Sequence, residues 1–287
     1  MRQRALSSIG VVLVGIIPAL LGSPVFSIIV ALIAIGALYE LYRAYQRVGA
    51  RPSTWTGSVA VIALIVVAGT DAPFRALTGS MVGYTLISLA QHLAKHDIAG
   101  ALLDWAFSLS GVMYVGVTMM HFVLIRRIQG ESDMDWVGRA DNLIGDGGAA
   151  LGLAWLLLVL VTTWMSDVFA YLVGRTWGNR KLIPHISPGK TLEGALAGLI
   201  GGMAIGTVAA YLFGVPVPLY VAPFIGLIVA FAAMVGDLSE SLIKRNIDIK
   251  DMGALIPGHG GLMDRIDALL FTVPLVFYIA LLVNWWG

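Results

Sequence analysis

The chain has no cysteine among its 287 residues, which excludes disulfides, a thiolate nucleophile and any cysteine-ligated metal. Charge is the next scarcity. Asp, Glu, Lys and Arg make up 12% of the residues, against about 25% in a soluble domain. Histidine is rare, at five residues, so a zinc site has few donors to draw on. No Walker A run, G-x-S-x-G elbow or H-E-x-x-H helix occurs, which removes the usual P-loop, serine-hydrolase and zinc-protease signatures. Internal repeats, low-complexity tracts and a soluble domain are also missing. What fills the chain instead is apolar: 58% of residues are hydrophobic and 34 are glycine, the composition of closely packed membrane helices.

A spanning helix needs about 20 apolar residues. Residues 5–39 carry no Asp, Glu, Lys or Arg, and Gly22-Ser23-Pro24 divides them into spans near 6–22 and 24–42. Arg2 and Arg4 ahead of this run imitate a signal peptide. No small-x-small cleavage site leads into a polar chain, however, so the run is read as a retained span. Further spans are predicted near 54–70, 76–94, 105–125, 148–172, 194–214, 219–240 and 268–286. The expected fold is therefore an all-α polytopic membrane bundle of about nine transmembrane helices. It comprises five N-terminal spans over 1–125, an acidic non-cytoplasmic loop over 126–147, and four spans over 148–287 with cytoplasmic loops at 175–193 and 244–267.

Nine spans alternate sides, so the positive-inside bias can be applied. Fourteen of the 18 Lys and Arg fall on the N-terminal side and four on the other. Without the two basic loops the balance is still six against four. The N-terminus and both basic loops are placed in the cytoplasm, where nucleotides are available.

Charge concentrates where it is costly beside a bilayer. Asp237, Glu240, Ser241 and Lys244 are spaced as one helical stripe, and Asp237 ends an uncharged run of 43 residues. An ordinary Glu240–Lys244 pair would explain two of these residues, but not the carboxylate one turn deeper. Asp264 and Asp267 share a face at the start of the last span, behind Gly258-His259-Gly260-Gly261. Glycines let backbone approach a phosphate, and helix N-termini favour anions. As a simple N-terminal acid, Asp264 would suit the helix dipole alone. Three carboxylates with few histidines suit Mg²⁺ better than Zn²⁺. A second stripe, Asp167, Ala170, Tyr171 and Gly174, leads into a loop with Arg175, Arg180, Lys181, Ser187, Lys190 and Thr191. That loop is either a phosphate cradle or a basic segment touching anionic lipid. The Asp133-x-Asp135 pair lies on the face opposite the clustered cations and is read as solvated loop.

The run Ser241-x2-Lys244-Arg245-x4-Lys250-Asp251-x-Gly253-x3-Pro257-Gly258-His259-Gly260-Gly261-x2-Asp264-Arg265-x-Asp267 closely resembles the signature of phosphatidate cytidylyltransferases, the CDP-diacylglycerol synthases. So do Trp164-x2-Asp167-x2-Ala170-Tyr171-x2-Gly174-Arg175, Ser187-Pro188-x-Lys190-Thr191-x-Glu193-Gly194 and Gly236-Asp237-x2-Glu240-Ser241. The resemblance covers roughly 164–267. It implies Mg²⁺-dependent transfer of CMP from CTP to phosphatidic acid, with a second cation left open, in a multi-span homodimer of the cell inner membrane. CTP, phosphatidic acid and membrane lipids are the implied partners, with no nucleic acid. On this basis Asp237 and Asp264 are expected to bind the metal, with Asp267 and Asp167 as further ligands. Lys244, Arg245, Lys250 and Arg265 are expected to neutralise the triphosphate. Arg175, Lys181, Ser187, Lys190 and Thr191 would hold lipid headgroup or nucleotide, with Lys190 assigned chiefly to the lipid. Glu193, Glu240, Ser241, Asp251 and His259 complete the expected substrate-binding set. A CTP-using lipid kinase, a cytidylyltransferase for another lipid phosphate, and a transporter are the alternatives. The D-G-x2-A-R opening of CDP-alcohol phosphotransferases is missing before Gly261.

Overall fold

The structure is a computed structural model that describes residues 15–71, 73–93, 99–141, 148–253 and 260–286. Most of the span expected at 6–22, and Pro257-Gly258-His259, lie outside the described residues. In order the elements are α1 (Ser23–Gln46), α2 (Thr54–Ala68), α3 (Pro73–Leu93), α4 (Ala101–Arg126) and α5 (Asp135–Asp141). Next come α6 (Ala150–Trp177), β1 (Lys181–Ile183), β2 (Ser187–Thr191), α7 (Leu192–Phe213) and α8 (Ala222–Asn246). The chain closes with α9 (Met263–Ile266) and α10 (Leu269–Trp286).

Among the described residues six helices are long and apolar enough to cross a bilayer: α1, α4, α6, α7, α8 and the joined stretch Met263–Asn284. The molecule is thus a helical polytopic membrane protein. Of the other expected spans, those at 54–70 and 76–94 do not meet that criterion. α2 has 15 residues, about 22 Å of helix against a hydrocarbon core of about 30 Å. In α3, Thr78, Ser80, Thr85, Ser88, Gln91 and His92 dilute the apolar character. The all-α expectation also needs one amendment, because β1 and β2 form a two-stranded antiparallel hairpin with Lys181 opposite Thr191 and Ile183 opposite Ser187.

Helices α6, α7 and α8 pack nearly backbone to backbone, and glycine is the reason. A Cβ on Gly198 would sit 3.0 Å from the Ala170 side chain, and one on Gly206 would sit 2.5 Å from Gly226 Cα. Small residues at such contacts drive helix association in lipid through dispersion and close approach rather than through the hydrophobic effect. Against this trio α10 is fixed in part by a buried hydroxyl pair, Thr163 donating to Thr272 at 3.1 Å. The N-terminal helices join the same core through α4, which packs against α1, α2, α6 and α10. Within α4, the wider turn Val112–Val117 interrupts regular α-geometry.

The two ends of α7 carry different structures. At its N-terminus lies the hairpin, with Leu192 N–H donating to Arg180 O at 2.8 Å. At its C-terminus the segment before α5 docks: Ser132 Oγ donates to Phe213 O at 2.6 Å, and Asp133 N–H to Gly214 O at 3.1 Å. These donors satisfy carbonyls that a helix end otherwise leaves open. Twenty-two residues of α7 separate the two ends by about 33 Å. Beside the docked segment, a fully buried Arg126 pairs with Asp141 at 2.8 Å and donates to Ala19 O and Ala149 O. Each charge is therefore hydrogen-bonded as well as paired, the condition under which a buried ion pair is tolerated.

Candidate active site

Local sequence sets the walls of the site. Thr191 caps α7, its Oγ1 accepting from Gly194 N–H at 3.2 Å. In the first turn of α7, the Glu193 carboxylate accepts from the backbone N–H groups of Asn179 and Arg180, each at 3.2 Å. Gly178, at the end of α6, leaves no room for a Cβ, which would collide with Gly174 O and the Thr191 side chain. The Pro188-Gly189-Lys190-Thr191-Leu192-Glu193-Gly194 run therefore folds the hairpin back onto α6 and aims Lys190 inward. On the other wall, Arg245 Nε donates to Ile186 O at 3.1 Å and ties the end of α8 to the hairpin.

Between these walls is a cavity of about 710 Å³. Its charged lining consists of Asp167, Asp237, Glu240, Asp264 and Asp267 against Arg175, Lys190 and Lys244. Tyr171, Ser187 and Thr191 add hydroxyls, and Leu199, Ala230 and Met234 make a deeper apolar wall. Four segments far apart in sequence thus meet: the stripe on α6, the hairpin, the stripe on α8 and the start of the last span. Gly236 packs on the Asp267–Ala268 backbone, which brings the α8 stripe against the last span.

Lys190 Nζ pairs with Asp237 Oδ2 at 2.7 Å, with the Asp237 side chain 36% exposed. This contact sets the lysine of the 175–193 loop on the acidic cluster. Ser241 Oγ lies 3.4 Å from Asp237 Oδ1. Lys244 Nζ bridges Glu240 Oε2 and Asp264 Oδ1, both at 2.7 Å. The ordinary i,i+4 pair is therefore present, and the same ammonium crosses to a second span. Asp264 Oδ2 accepts from Met252 N–H at 3.1 Å and Gly261 N–H at 2.7 Å. With both oxygens occupied and its side chain 10% exposed, Asp264 organises the loop around it. Asp267 Oδ1 accepts from Ala268 N–H at 2.8 Å.

The carboxylates of Asp167, Asp237 and Asp267 line this one cavity, and Glu240 is fully buried with Oε1 lacking a partner among the described residues. Like charges gathered in a half-enclosed space require a cation. Every acidic donor here is a hard oxygen, so the chemistry of the set fits a hard dication. Among the described residues no three Asp, Glu or His side chains stand close enough together to hold an ion directly; against Asp237 the compensating charge is Lys190.

Other expected site residues fall elsewhere. Lys181 is exposed on β1 and Lys250 is exposed beyond α8. Asp251 is exposed, and Arg265 is half-buried on α9 without lining the cavity. Arg245 and Glu193 hold the hairpin in the contacts given above. His259 lies outside the described residues.

Two residues near the site come from the N-terminal half, where none was expected. Tyr114, on the wide turn of α4, packs edge-on against Phe271, one turn beyond Asp267, with ring centroids 6.3 Å apart. Glu40, buried in α1, accepts from Met263 N–H at 3.0 Å. A signal for Glu40 existed: it is the first charge after the uncharged stretch 5–39, and an acid within a span marks a functional position by default. No comparable signal separates Tyr114 from the other tyrosines.

The sequence profile of the cytidylyltransferase family matches residues 2–283. A Synechocystis protein named phosphatidate cytidylyltransferase is 31% identical over 98% of this chain and 96% of its own length. One of the same name from Staphylococcus haemolyticus is 28% identical over 96% of this chain and 97% of its own. The Escherichia coli protein YnbB, described as uncharacterized, is 44% identical over 132 residues, 46% of this chain and 43% of its own length. A family profile that runs nearly end to end, together with relatives of matching length, shows that the chain belongs to the cytidylyltransferase family of enzymes.

Proposed function

We propose that the chain transfers CMP from CTP to phosphatidic acid, giving CDP-diacylglycerol and pyrophosphate. The observation that carries this reading is a single cavity in which phosphate-binding cations, carboxylates and an apolar wall of membrane helices face one another. Such a space suits a reaction between a water-soluble polyphosphate and a lipid. The names of the full-length relatives support the substrate pair.

The chemistry asks little of a base, because a phosphomonoester is already ionised at neutral pH. One phosphatidate oxygen forms a bond to the α-phosphorus of CTP as the bond to the β-phosphate breaks, and pyrophosphate leaves with the electron pair. The site's part is to orient the two phosphates and to relieve their repulsion. Five acids against three bases make the described lining formally negative, and a triphosphate adds about four further charges that must be compensated at close range. This excess supports a Mg²⁺ requirement, with Asp237 as ligand and Asp167 and Asp267 beside it, and it leaves room for a second cation. When bound, such an ion would polarise the transferred phosphoryl group and stabilise the leaving pyrophosphate. Lys190 then exchanges Asp237 for a substrate phosphate, and Arg175 and the hydroxyls of Ser187 and Tyr171 lie within the same cavity for a headgroup. Lys244 holds Asp264 in place.

Labelled CTP separates this reading from its nearest rival. With purified protein and phosphatidic acid, label at the α-phosphate should enter the lipid and label at the γ-phosphate should not. A lipid kinase would give the reverse.

The same reading sets the chain in a bacterial inner membrane with its N-terminus and cavity on the cytoplasmic side, crossing about nine times. Support comes from the charge bias and from the ends of α7, where Ser187 and Asp133 lie near opposite termini of one spanning helix. Cysteines introduced as Ser187→Cys and Asp133→Cys should react with a membrane-impermeant maleimide from opposite sides of sealed vesicles. Labelling from the same side would remove this topology. Dimerisation rests on the family resemblance alone, and no nucleic acid is part of this reading.

A further inference from the structure

Glu40 is 3% exposed, near the C-terminal end of α1. Its Oε2 accepts from Met263 N–H at 3.0 Å, the first amide of α9, and among the described residues its Oε1 has no partner. The carboxylate sits against two glycines that flank the 254–259 stretch. A Cβ on Gly253 would collide with it, and a Cβ on Gly261 would lie 2.5 Å from Oε2. Asp264, two residues into α9, holds the same two margins by accepting from Met252 N–H and Gly261 N–H. Two acids from different ends of the chain therefore pin one junction. A buried carboxylate with one oxygen left unpaired is expensive. An apolar residue of the same volume would fill the space without that cost, so packing does not account for an acid here.

We propose that Glu40 is a positioning residue for the site: by accepting the Met263 amide it fixes the start of α9, and hence the placement of Asp264 and Asp267. It touches no substrate and acts through those two aspartates. The catalytic consequence rests on the cytidylyltransferase reading above, whereas the structural one does not. A further consequence is that the N-terminal helices belong to the functional unit, since the C-terminal spans alone lack this acceptor.

The test compares Glu40→Gln, Glu40→Ala and Glu40→Leu in the full-length protein purified in lipid nanodiscs, by amide hydrogen exchange and by turnover. Gln keeps an acceptor oxygen, Leu keeps the volume, and Ala keeps neither. Exchange of peptides covering 260–268 should accelerate roughly 10- to 100-fold in the Ala and Leu variants, as expected when a buried backbone amide loses its acceptor. Exchange should stay near wild type in Glu40→Gln, and peptides from α7 should be unchanged in all three. In the same Ala and Leu variants kcat should fall by a similar factor with the KM for CTP held within about threefold, and Glu40→Gln should recover most of it. Should Glu40→Ala fail to fold, the Gln and Leu pair decides alone. Wild-type exchange and kcat in Glu40→Leu would overturn the proposal in favour of packing, and so would a Glu40→Gln variant as impaired as Glu40→Leu. If the protein proved to have a different activity, the exchange pattern would still decide the role of Glu40.

Discussion

Asp237→Asn is expected to lower turnover by about 10³-fold or more while leaving the protein folded, the size of effect seen when a group that stabilises developing charge at a reacting phosphate is neutralised. Asp237 is the acid best placed for direct work. Its side chain is 36% exposed, it shares the cavity with Asp167 and Asp267, and its partner Lys190 comes from the opposite wall of the cavity. Exchanging the carboxylate for an amide removes the charge without removing volume, so thermal stability should change little. The comparison of kcat with unfolding midpoint checks this. Retention of more than about a tenth of wild-type kcat would move the principal acid to Asp167 or Asp267.

Asp264→Asn should also cost about two to three orders of magnitude in turnover, but for a different reason. The carboxylate receives Lys244 on one oxygen and two backbone N–H groups on the other. An amide offers one acceptor oxygen, so its NH2 must face either the ammonium or the two backbone donors. Leaving such buried groups unpaired costs about 1–3 kcal/mol each and more where one is charged. The loop should loosen together with the loss of activity. Trypsin supplies the readout, because Lys250 is exposed within the loop that Asp264 holds. Cleavage after Lys250 should accelerate at least about tenfold in Asp264→Asn and remain at the wild-type rate in Asp237→Asn. Equal trypsin resistance in both variants would show that Asp264 works on the substrate rather than on the loop.

Much of this division was legible in the order of residues, and the reasons for the rest are physical. Helical stripes are a local property, so the α8 run Asp237, Glu240, Ser241 and Lys244 and the α6 run beginning at Asp167 could be read as faces directly. That these faces converge on one cavity depended on inter-helix packing through Gly198, Gly206 and Gly226, which no spacing rule gives. The cations were harder. A lysine or arginine beside a carboxylate-rich motif reads as a phosphate ligand, yet Arg245 spends its guanidinium on Ile186 O, and Lys244 is divided between Glu240 and Asp264. Two of the cations expected at the triphosphate thus make protein contacts that their spacing does not announce. In the hairpin, Pro188 and Gly189 are residues that strands disfavour, so the 175–193 loop gave no strand signal. Glu40 stood in plain view as a charge inside a span, but its partner Met263 is 223 positions away. Contacts at that separation become visible only in three dimensions.

The most direct measurement of the central claim is pyrophosphate release by purified wild-type protein supplied with CTP and Mg²⁺, with and without phosphatidic acid in mixed micelles. Release should depend on CTP and on phosphatidic acid, match the formation of a cytidine-labelled lipid mole for mole, and vanish in Asp237→Asn. Pyrophosphate release that ignores phosphatidic acid, or phosphatidic acid consumed without cytidine entering the lipid, would contradict the assignment.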